Sequence, residues 1–275
     1  MDKKTKDIND RIKRHNLGKN LYHYTSIDTL IGILANKELW MSNVLNMNDM
    51  SEVTDYISRV KEALPEKAMN DRVRNVFDNV EKKMAVEAPY AICFSKLEDN
   101  AAQWERYGDN AEGICIEFNT FNLISAFYSY KILINEIYYD YDIEKHELYK
   151  MILDNYDSEN FDAELIQSQL IPVGGVHKHK SFSTEEEIRI MTLFKNIPDC
   201  SDIQNKKIGK SIRRYVVINF AELCEKNNLC IEDTIDKVLI GPRSEQNIYE
   251  LKQYVGKLGY KRLSSKIYES ECPLR

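Results

Sequence analysis

The sequence predicts an α+β fold with a mostly antiparallel sheet and helical insertions. Three observations support this. Apolar residues recur at helical spacing in some stretches, such as Ile27, Leu30, Ile31 and Leu34, or Val53, Ile57, Val60 and Leu64. Elsewhere they alternate as a strand requires, as in Ile114, Ile116 and Phe118. The two patterns mix without strict β-α-β alternation, which disfavours a doubly wound parallel sheet. No internal repeat, low-complexity tract or Pro/Gly-rich linker divides the 275 residues. One domain over 1–275 is therefore expected, with an N-terminal helix within 1–20 and a helical insertion over 140–172.

Taken in order, residues 7–17 read as a polar lead-in helix closed by Gly18. A short strand follows at 21–26, Leu-Tyr-His-Tyr-Thr-Ser, and Ser26 caps the helix that begins at Ile27. Leu39–Ser42 is a second strand. The stripe from Val53 to Leu64 is a helix stopped by Pro65, and residues 66–87 are charged and helical. The period then changes. Tyr90–Ser95 is a strand, 101–107 a short helix carrying Trp104 and Tyr107, and 114–118 another strand. Residues 131–139 are β-rich, and 143–170 return to a charged helical pattern. Strands are expected at about 176–182, 186–194, 211–219 and 237–241. A helix over 245–258 presents Ile248, Leu251, Val255 and Leu258 on one stripe, and residues 261–268 supply a closing strand.

A chain of this length and composition, 43% hydrophobic and 30% charged, can build its own core. A net charge of −6 argues against broad nonspecific nucleic-acid binding, although it leaves room for a local basic patch. Apolar runs are too short to span a bilayer, and Met1–Asp7 lacks the apolar core of a signal peptide. The six cysteines include no Cys-x-x-Cys pair, and Cys224 and Cys230 have no nearby His to complete a zinc site. A cytoplasmic protein with reduced thiols and no membrane partner is expected.

The chemistry-bearing residues concentrate in two distant segments. His23 and Thr25 share one side of the first strand, while Lys180-Ser-Phe-Ser-Thr-Glu-Glu-Glu-Ile-Arg189 places Glu185, Glu187 and Arg189 on one side of a later one. Ile188 and Ile190 point to the core. A face that runs carboxylate, carboxylate, guanidinium and then the apolar Met191 and Leu193 suits a pocket wall, although a solvated Glu–Arg pair is the plainer alternative. A His beside two tyrosines is more often structural than catalytic. Asn48-Asp49-x-x-Glu52 reads first as a helix cap, and Trp104 with Tyr107 as a packing anchor. Gly209-Lys210-Ser211 lacks the upstream Gly of a phosphate-binding loop, and His177-Lys178-His179 is a weak metal signal. No metal site is expected.

In one order, Leu21-Tyr-His-Tyr-Thr-Ser26, Leu39-Trp40-x-Ser42, Asn48-Asp49-x-x-Glu52, Cys93-Phe94-Ser95, Trp104-x-x-Tyr107, Gly113-x-Cys115-x-x-Phe118 and Lys180-x-Phe182-x-x-Glu185-x-Glu187-x-Arg189 resemble the bacterial family called domain of unknown function 2971, over roughly residues 20–242. Phe182 stands where that family leads one to expect Trp, and Met50 where Pro is usual. His23-Tyr-Thr25, with the helix carrying Leu30, Ile33 and Leu34 and then Leu39, is also similar to the opening of ADP-ribosyltransferases of the DNA-modifying toxin and RNA 2′-phosphotransferase kind. That second resemblance implies a split β core of ADP-ribosyltransferase-like type, NAD as substrate, and cleavage of the nicotinamide–ribose bond. It implies His23 on a ribose hydroxyl and a late-strand Glu, here Glu187, opposite the oxocarbenium-like transition state. Glu185 would orient or deprotonate an acceptor, Tyr24, Trp104 or Tyr107 would stack on nicotinamide, and Thr25 and Ser42 would line the site. Lys180 or Arg189 would meet the pyrophosphate. The acceptor is an unknown protein or nucleic acid, and a toxin or phage-defence role would bring a cognate antitoxin or defence-system partner. Two alternatives remain. One is a Mg²⁺-dependent phosphoesterase or nuclease built on Asp49, Glu52, Glu185 and Glu187; the other is a nucleotide-binding sensor without turnover.

Overall fold

The computed structural model describes residues 2–47, 52–139, 141–197, 202–208 and 211–274. Asn48, Asp49, Met50 and Ser51 therefore lie outside the described residues, as do Gly209 and Lys210. The strands are β1 (Asn20–Thr25), β2 (Glu38–Asn43), β3 (Tyr90–Ser95), β4 (Ile114–Asn119), β5 (Ile132–Glu136), β6 (Glu187–Thr192), β7 (Ile203–Ile208), β8 (Ser211–Asn219), β9 (Ile235–Ile240) and β10 (Ile267–Glu269). The α-helices are α1 (Lys3–Arg14), α2 (Ile27–Leu34), α3 (Glu52–Ala63), α4 (Asp71–Glu87), α5 (Ala101–Tyr107) and α6 (Thr120–Ala126). They continue with α7 (Glu147–Asn155), α8 (Ala163–Gly174), α9 (Phe220–Glu225), α10 (Ile231–Thr234), α11 (Ile248–Lys257) and α12 (Lys261–Ser264).

The strands join in one sheet of order β10-β9-β4-β1-β3-β2-β8-β7, with β6 on the other side of β3 and β5 beyond β6. Pairing is antiparallel except between β9 and β10, so the expected α+β class with a mostly antiparallel sheet holds. The register at β3 positions the site. β6 pairs with β3 along its whole length, from Tyr90↔Thr192 to Ser95↔Glu187. The opposite edge of β3 is shared: β2 pairs at Ala91 and Tyr90, whereas β1 pairs only at Ser95, opposite Tyr22. The sheet therefore splits into two arms around Cys93.

Alternation distributes the side chains between two faces. One face is a continuous core in which Leu21, Ile92, Phe94, Ile116, Phe118, Ile188, Ile190 and Val238 meet helices from both ends of the chain, including Ile8 of α1 and Val255 of α11. The other face carries two separate apolar patches. Ala91 and Met191 pack with Val53 and Tyr56 of α3, Phe77 of α4, Ile152 of α7 and Leu170 of α8. Tyr22, Tyr24, Cys115 and Leu239 pack under Trp104 of α5. The stripe of sheet between these patches is where the polar residues collect.

Several local readings hold for physical reasons that the contacts display. Ser26 Oγ accepts from the Thr29 amide and starts α2. Pro65 follows α3 closely, and the expected 140–172 insertion contains α7 and α8, which bury Leu148, Ile152, Ile166 and Leu170. Two expected strands need correction. Residues 176–182 contribute only a bridge between His177 and Tyr138, then turn as a 3₁₀ segment over Lys180–Glu185. Glu186 at φ 43° ends that turn in the left-handed region, so Glu185 does not belong to the strand that Glu187 begins. Residues 261–268 are first the short α12 and only then β10, the parallel edge strand. The lead-in helix spans Lys3–Arg14, earlier than 7–17, with Asp2 as its N-cap and His15 rather than Gly18 closing it.

The arm carrying β1 depends on a close backbone approach at Gly113. A Cβ there would collide with the Thr25 carbonyl oxygen and stand 2.9 Å from that of Gly108. Gly113→Ala should therefore cost about 1–3 kcal/mol, the usual range for forced overpacking. Urea denaturation checks this, and an unchanged midpoint would show that the backbone yields freely.

Candidate functional site

Six ionic side chains from four parts of the chain meet on the polar stripe. Lys178 follows the β-bridge residue His177 and is buried, with its Nζ 2.7 Å from Glu185 Oε2, 3.1 Å from Glu187 Oε2 and 3.3 Å from Glu52 Oε1. Arg189, 1% exposed, grips Glu187 with Nε (2.6 Å to Oε1) and Nη2 (3.1 Å to Oε2). Its Nη1 donates to Glu52 Oε2 at 2.8 Å and to the Gly175 carbonyl at 2.7 Å. On the outer side Arg106 and the Tyr107 hydroxyl both donate to Glu185 Oε1, at 2.9 and 2.7 Å. Three carboxylates thus face three cations, the buried Lys178 and Arg189 and the half-exposed Arg106.

The backbone is fixed as firmly as the side chains. The Glu185 carbonyl accepts from Ser95 Oγ (2.7 Å) and Gln103 Nε2 (3.0 Å), and the Glu187 amide donates to the Tyr139 hydroxyl (2.8 Å). Burial pushes the Glu187 carboxyl up, but Arg189 and Lys178 outweigh it and hold the group down at about 2. Burial works against the charges of Lys178 and Arg189 too. Glu187, foremost among their neighbours, keeps both protonated well above their usual ranges. Glu187, Lys178 and Arg189 are therefore fixed charges at neutral pH.

A cavity of about 230 Å³ opens over the gap in the sheet. Cys93 and Ser95 line it from β3, Glu187 and Arg189 from β6, Tyr22, His23 and Tyr24 from β1, and Trp40 and Ser42 from β2. Tyr107, Gln103, Glu185, Lys178, Glu52 and Arg213 complete much of the wall. His23 reaches the gap itself: its Nδ1 is 2.8 Å from the Cys93 carbonyl oxygen, a group the ladder leaves free between β1 and β2. Burial lowers the imidazole pKa, against the opposing pull of that carbonyl. A carbonyl only accepts, so the neutral ring carries its proton on Nδ1 and leaves Nε2 as an acceptor.

His23 and Glu187 are thus brought to one cavity, as the sequence reading requires, together with Glu185, Tyr24, Ser42, Tyr107 and Arg189. Other candidates are placed elsewhere. Trp104 is fully buried behind Tyr24, edge-on at 5.0 Å, with its indole N–H on Asp99. Thr25 and Lys180 are not among the lining residues, and Lys180 is exposed. Arg189 lines the wall with its donors already committed to Glu187, Glu52 and Gly175, so pyrophosphate is not the partner the interior offers it. Tyr24 is likewise tied, accepting from the Asn100 amide and donating to the Leu97 carbonyl. Asp49 of the alternative metal cluster lies outside the described residues. Its described companions Glu52, Glu185 and Glu187 all contact the Lys178 ammonium, whose position a divalent ion would have to take.

Lys178 and Gln103 escaped the sequence reading. Lys178 was hidden between two histidines that drew attention as metal ligands, and its role depends on a turn over 180–185 that strand alternation does not foresee. From sequence Glu52 reads as part of a helix-capping segment or as a carboxylate of the alternative Mg²⁺ cluster, not as a partner of Lys178 and Arg189. A second cavity of about 260 Å³ behind the cluster shares Glu52 and Lys178 with the first and is lined by Tyr141, His177, His179 and Phe182. Phe182, in the position where Trp was expected, lies 5.0 Å under the Lys178 ammonium.

Two outcomes follow. Lys178→Met leaves buried carboxylates uncompensated and should cost about 3–5 kcal/mol, whereas Lys180→Met on the surface should stay within about 0.5 kcal/mol. Equal denaturation midpoints for the two would deny the ammonium its place in the cluster. His177, buried among Tyr56, Tyr138, Tyr141 and His146, is lowered to about 4, first by burial and then, against the Val173 carbonyl, by His146. Between pH 6.5 and 4 the unfolded chain takes up a proton that the folded one refuses, so stability falls on acidification through that window. The contribution of Glu187 is present above about 4.5 and is lost toward 2. Denaturation midpoints against pH should show a shallower slope between 6.5 and 4 for His177→Gln; an identical slope would place the proton uptake elsewhere.

Compared with known proteins, residues 103–190 match the model of the family described as Protein of unknown function (DUF2971). The matched stretch begins at Gln103 and ends within β6, so it holds Tyr107, Lys178, Glu185, Glu187 and Arg189 but not His23. It is shorter than the 20–242 expected from the motifs. No curated protein and no solved structure matches the chain. Among the described residues, no helix is long and apolar enough to cross a membrane.

Proposed function

We propose that this protein binds NAD at the gap in its sheet and cleaves the nicotinamide–ribose bond, in the manner of an ADP-ribosyltransferase with a split β core. The observation that carries the reading is the convergence of His23 and Glu187, distant in sequence, on one cavity at the point where β1 and β2 part. His23 offers a neutral Nε2 that accepts from a ribose hydroxyl. Glu187 is an ionised carboxylate whose orientation two Arg189 bonds fix before any ligand arrives.

In the reaction the bond between ribose C1′ and the nicotinamide nitrogen breaks with its electron pair going to nicotinamide. Positive charge develops on the ribose, and the ionised, pre-oriented Glu187 carboxylate in the cavity wall favours it without reorganisation. An acceptor lone pair then closes on C1′ and the acceptor's proton passes to solvent. Glu185, with both oxygens occupied, serves as a positioning residue that holds Tyr107 and Lys178; of the two roles expected of it, orienting or deprotonating the acceptor, these contacts favour the first. The acceptor is water, a protein or a nucleic acid. A cytoplasmic toxin or phage-defence effector with a cognate antitoxin or defence-system partner fits such chemistry.

Glu187→Gln should lower nicotinamide release by roughly 10²–10³-fold, the scale for removing one preorganised transition-state contact. NAD affinity should change far less, because the charge acts mainly at the transition state. His23→Ala should instead weaken NAD binding. Rates are compared per folded molecule, since the Gln variant also unbalances Arg189. Undiminished release by Glu187→Gln would end the mechanism. NAD binding by the wild-type protein with no release at all would make the site a nucleotide sensor.

A further inference from the structure

The face of the sheet that holds the cavity continues across β2 onto the hairpin of β7 and β8, and its charge there is one-sided. Register places Lys206 directly opposite Arg213, and both share their face with Tyr215, which lies opposite Gln204 and Ser42. Like charges in cross-strand register repel. Among the described residues neither cation has an ion-pair partner; Arg213 Nε only reaches Ser211 Oγ at 3.5 Å, and Lys206 stands 4.4 Å over the Trp40 ring. The sequence has no acidic residue between Asp202 and Glu222, in a chain of net charge −6. The acid on these strands, Glu38, accepts from the Trp40 indole at 3.0 Å.

This basic pair is attached to the cavity. Arg213 and Trp40 both line it, and Trp40, 36% exposed, packs against Tyr215 with ring centres 4.5 Å apart and planes inclined by 31°. The interior cations Lys178 and Arg189 are spent on carboxylates, so an anion in this groove must find its charge partner at the rim. A repulsive pair with no acid beside it is what a bound anion would relieve.

We infer that Lys206 and Arg213 form the phosphate subsite of the groove, taking the pyrophosphate of a dinucleotide whose ribose end occupies the cavity. Trp40 supplies the aromatic surface beside it. The inference rests on the NAD reading but replaces Arg189 and Lys180, the phosphate partners suggested by sequence, with two residues that the motifs did not single out. The alternative occupant of a basic strand pair with an exposed aromatic is the backbone of a single-stranded nucleic acid, whose phosphates would make the same contacts.

Calorimetric titration of the intact protein with ADP-ribose tests it, because ADP-ribose keeps both phosphates and lacks the bond to be cleaved. Lys206→Ala and Arg213→Ala should each weaken ADP-ribose by about 10-fold or more, the usual scale for a charged hydrogen bond. Nicotinamide riboside, which has no phosphate, should bind all three proteins alike. Lys206→Ala should melt no lower than the wild type, since it relieves a repulsion. Unchanged ADP-ribose affinity in both variants, or no binding to the wild type, overturns the subsite. So does an oligonucleotide whose affinity falls in both variants while that of ADP-ribose does not. Variant-sensitive ADP-ribose binding without nicotinamide release from NAD would keep the subsite and remove the cleavage reading.

Discussion

The structure around the site depends on how one buried lysine is compensated. Lys178 touches Glu52 of α3, Glu185 of the 3₁₀ turn and Glu187 of β6, and Arg189 ties two of the same acids to the carbonyl that follows α8. Desolvating so many charges is costly, and apolar residues could hold the same elements together at less expense. What the network adds is position. Each carboxylate has partners in two or three directions, so its location is fixed relative to helices whose packing on this face is mainly apolar. The apolar patches on this face stop short of one another, and the network occupies the strip between them.

Fixed charge of this kind shapes what the cavity can recognise. A carboxylate held ionised by neighbouring cations is a poor proton acceptor, so acid–base exchange at Glu187 is disfavoured and electrostatic action is favoured. His23 complements it as a neutral group whose free nitrogen accepts rather than donates. The wall therefore combines a hydrogen-bond acceptor with a fixed carboxylate, and its cation at the rim, Arg213, belongs to the hairpin and has no ion-pair partner among the described residues.

Much of the architecture was legible in the sequence because local periodicity and tertiary burial agree. β1, β3, β4 and α3 present the residues that alternation or helical spacing assigns to the core, and Ser26 caps the helix expected of it. The reading of 176–182 as a strand failed because the chain makes only a bridge at His177 and turns as a 3₁₀ segment from Lys180, and Glu186 at positive φ then separates Glu185 from β6. Even so, the grouping of Glu185 with Glu187 survived for a reason alternation did not supply: Lys178 draws them together. β7 was missed because Asn205, Lys206 and Lys207 carry no apolar alternation; its pairing comes from β8, not from its own pattern. Lys178 could not be found from spacing, since its partners lie on three separate elements.

The parting of β1 and β2 along β3 has a mechanical meaning. In an unbroken sheet, neighbouring strands share load through a row of hydrogen bonds. Here, among the described residues, strand pairing joins the arm built on β1, β4, β9 and β10 to the arm built on β2, β8 and β7 through β3, with the pairing to β1 reduced to Tyr22–Ser95. The imidazole of His23 spans part of the break by bonding to Cys93, where a ladder bond would otherwise run. A molecule lying across the gap, touching His23 on one arm and Trp40 or Arg213 on the other, would act as the missing strand. Occupancy of the cavity and stiffness of the whole sheet are then two expressions of the same contacts.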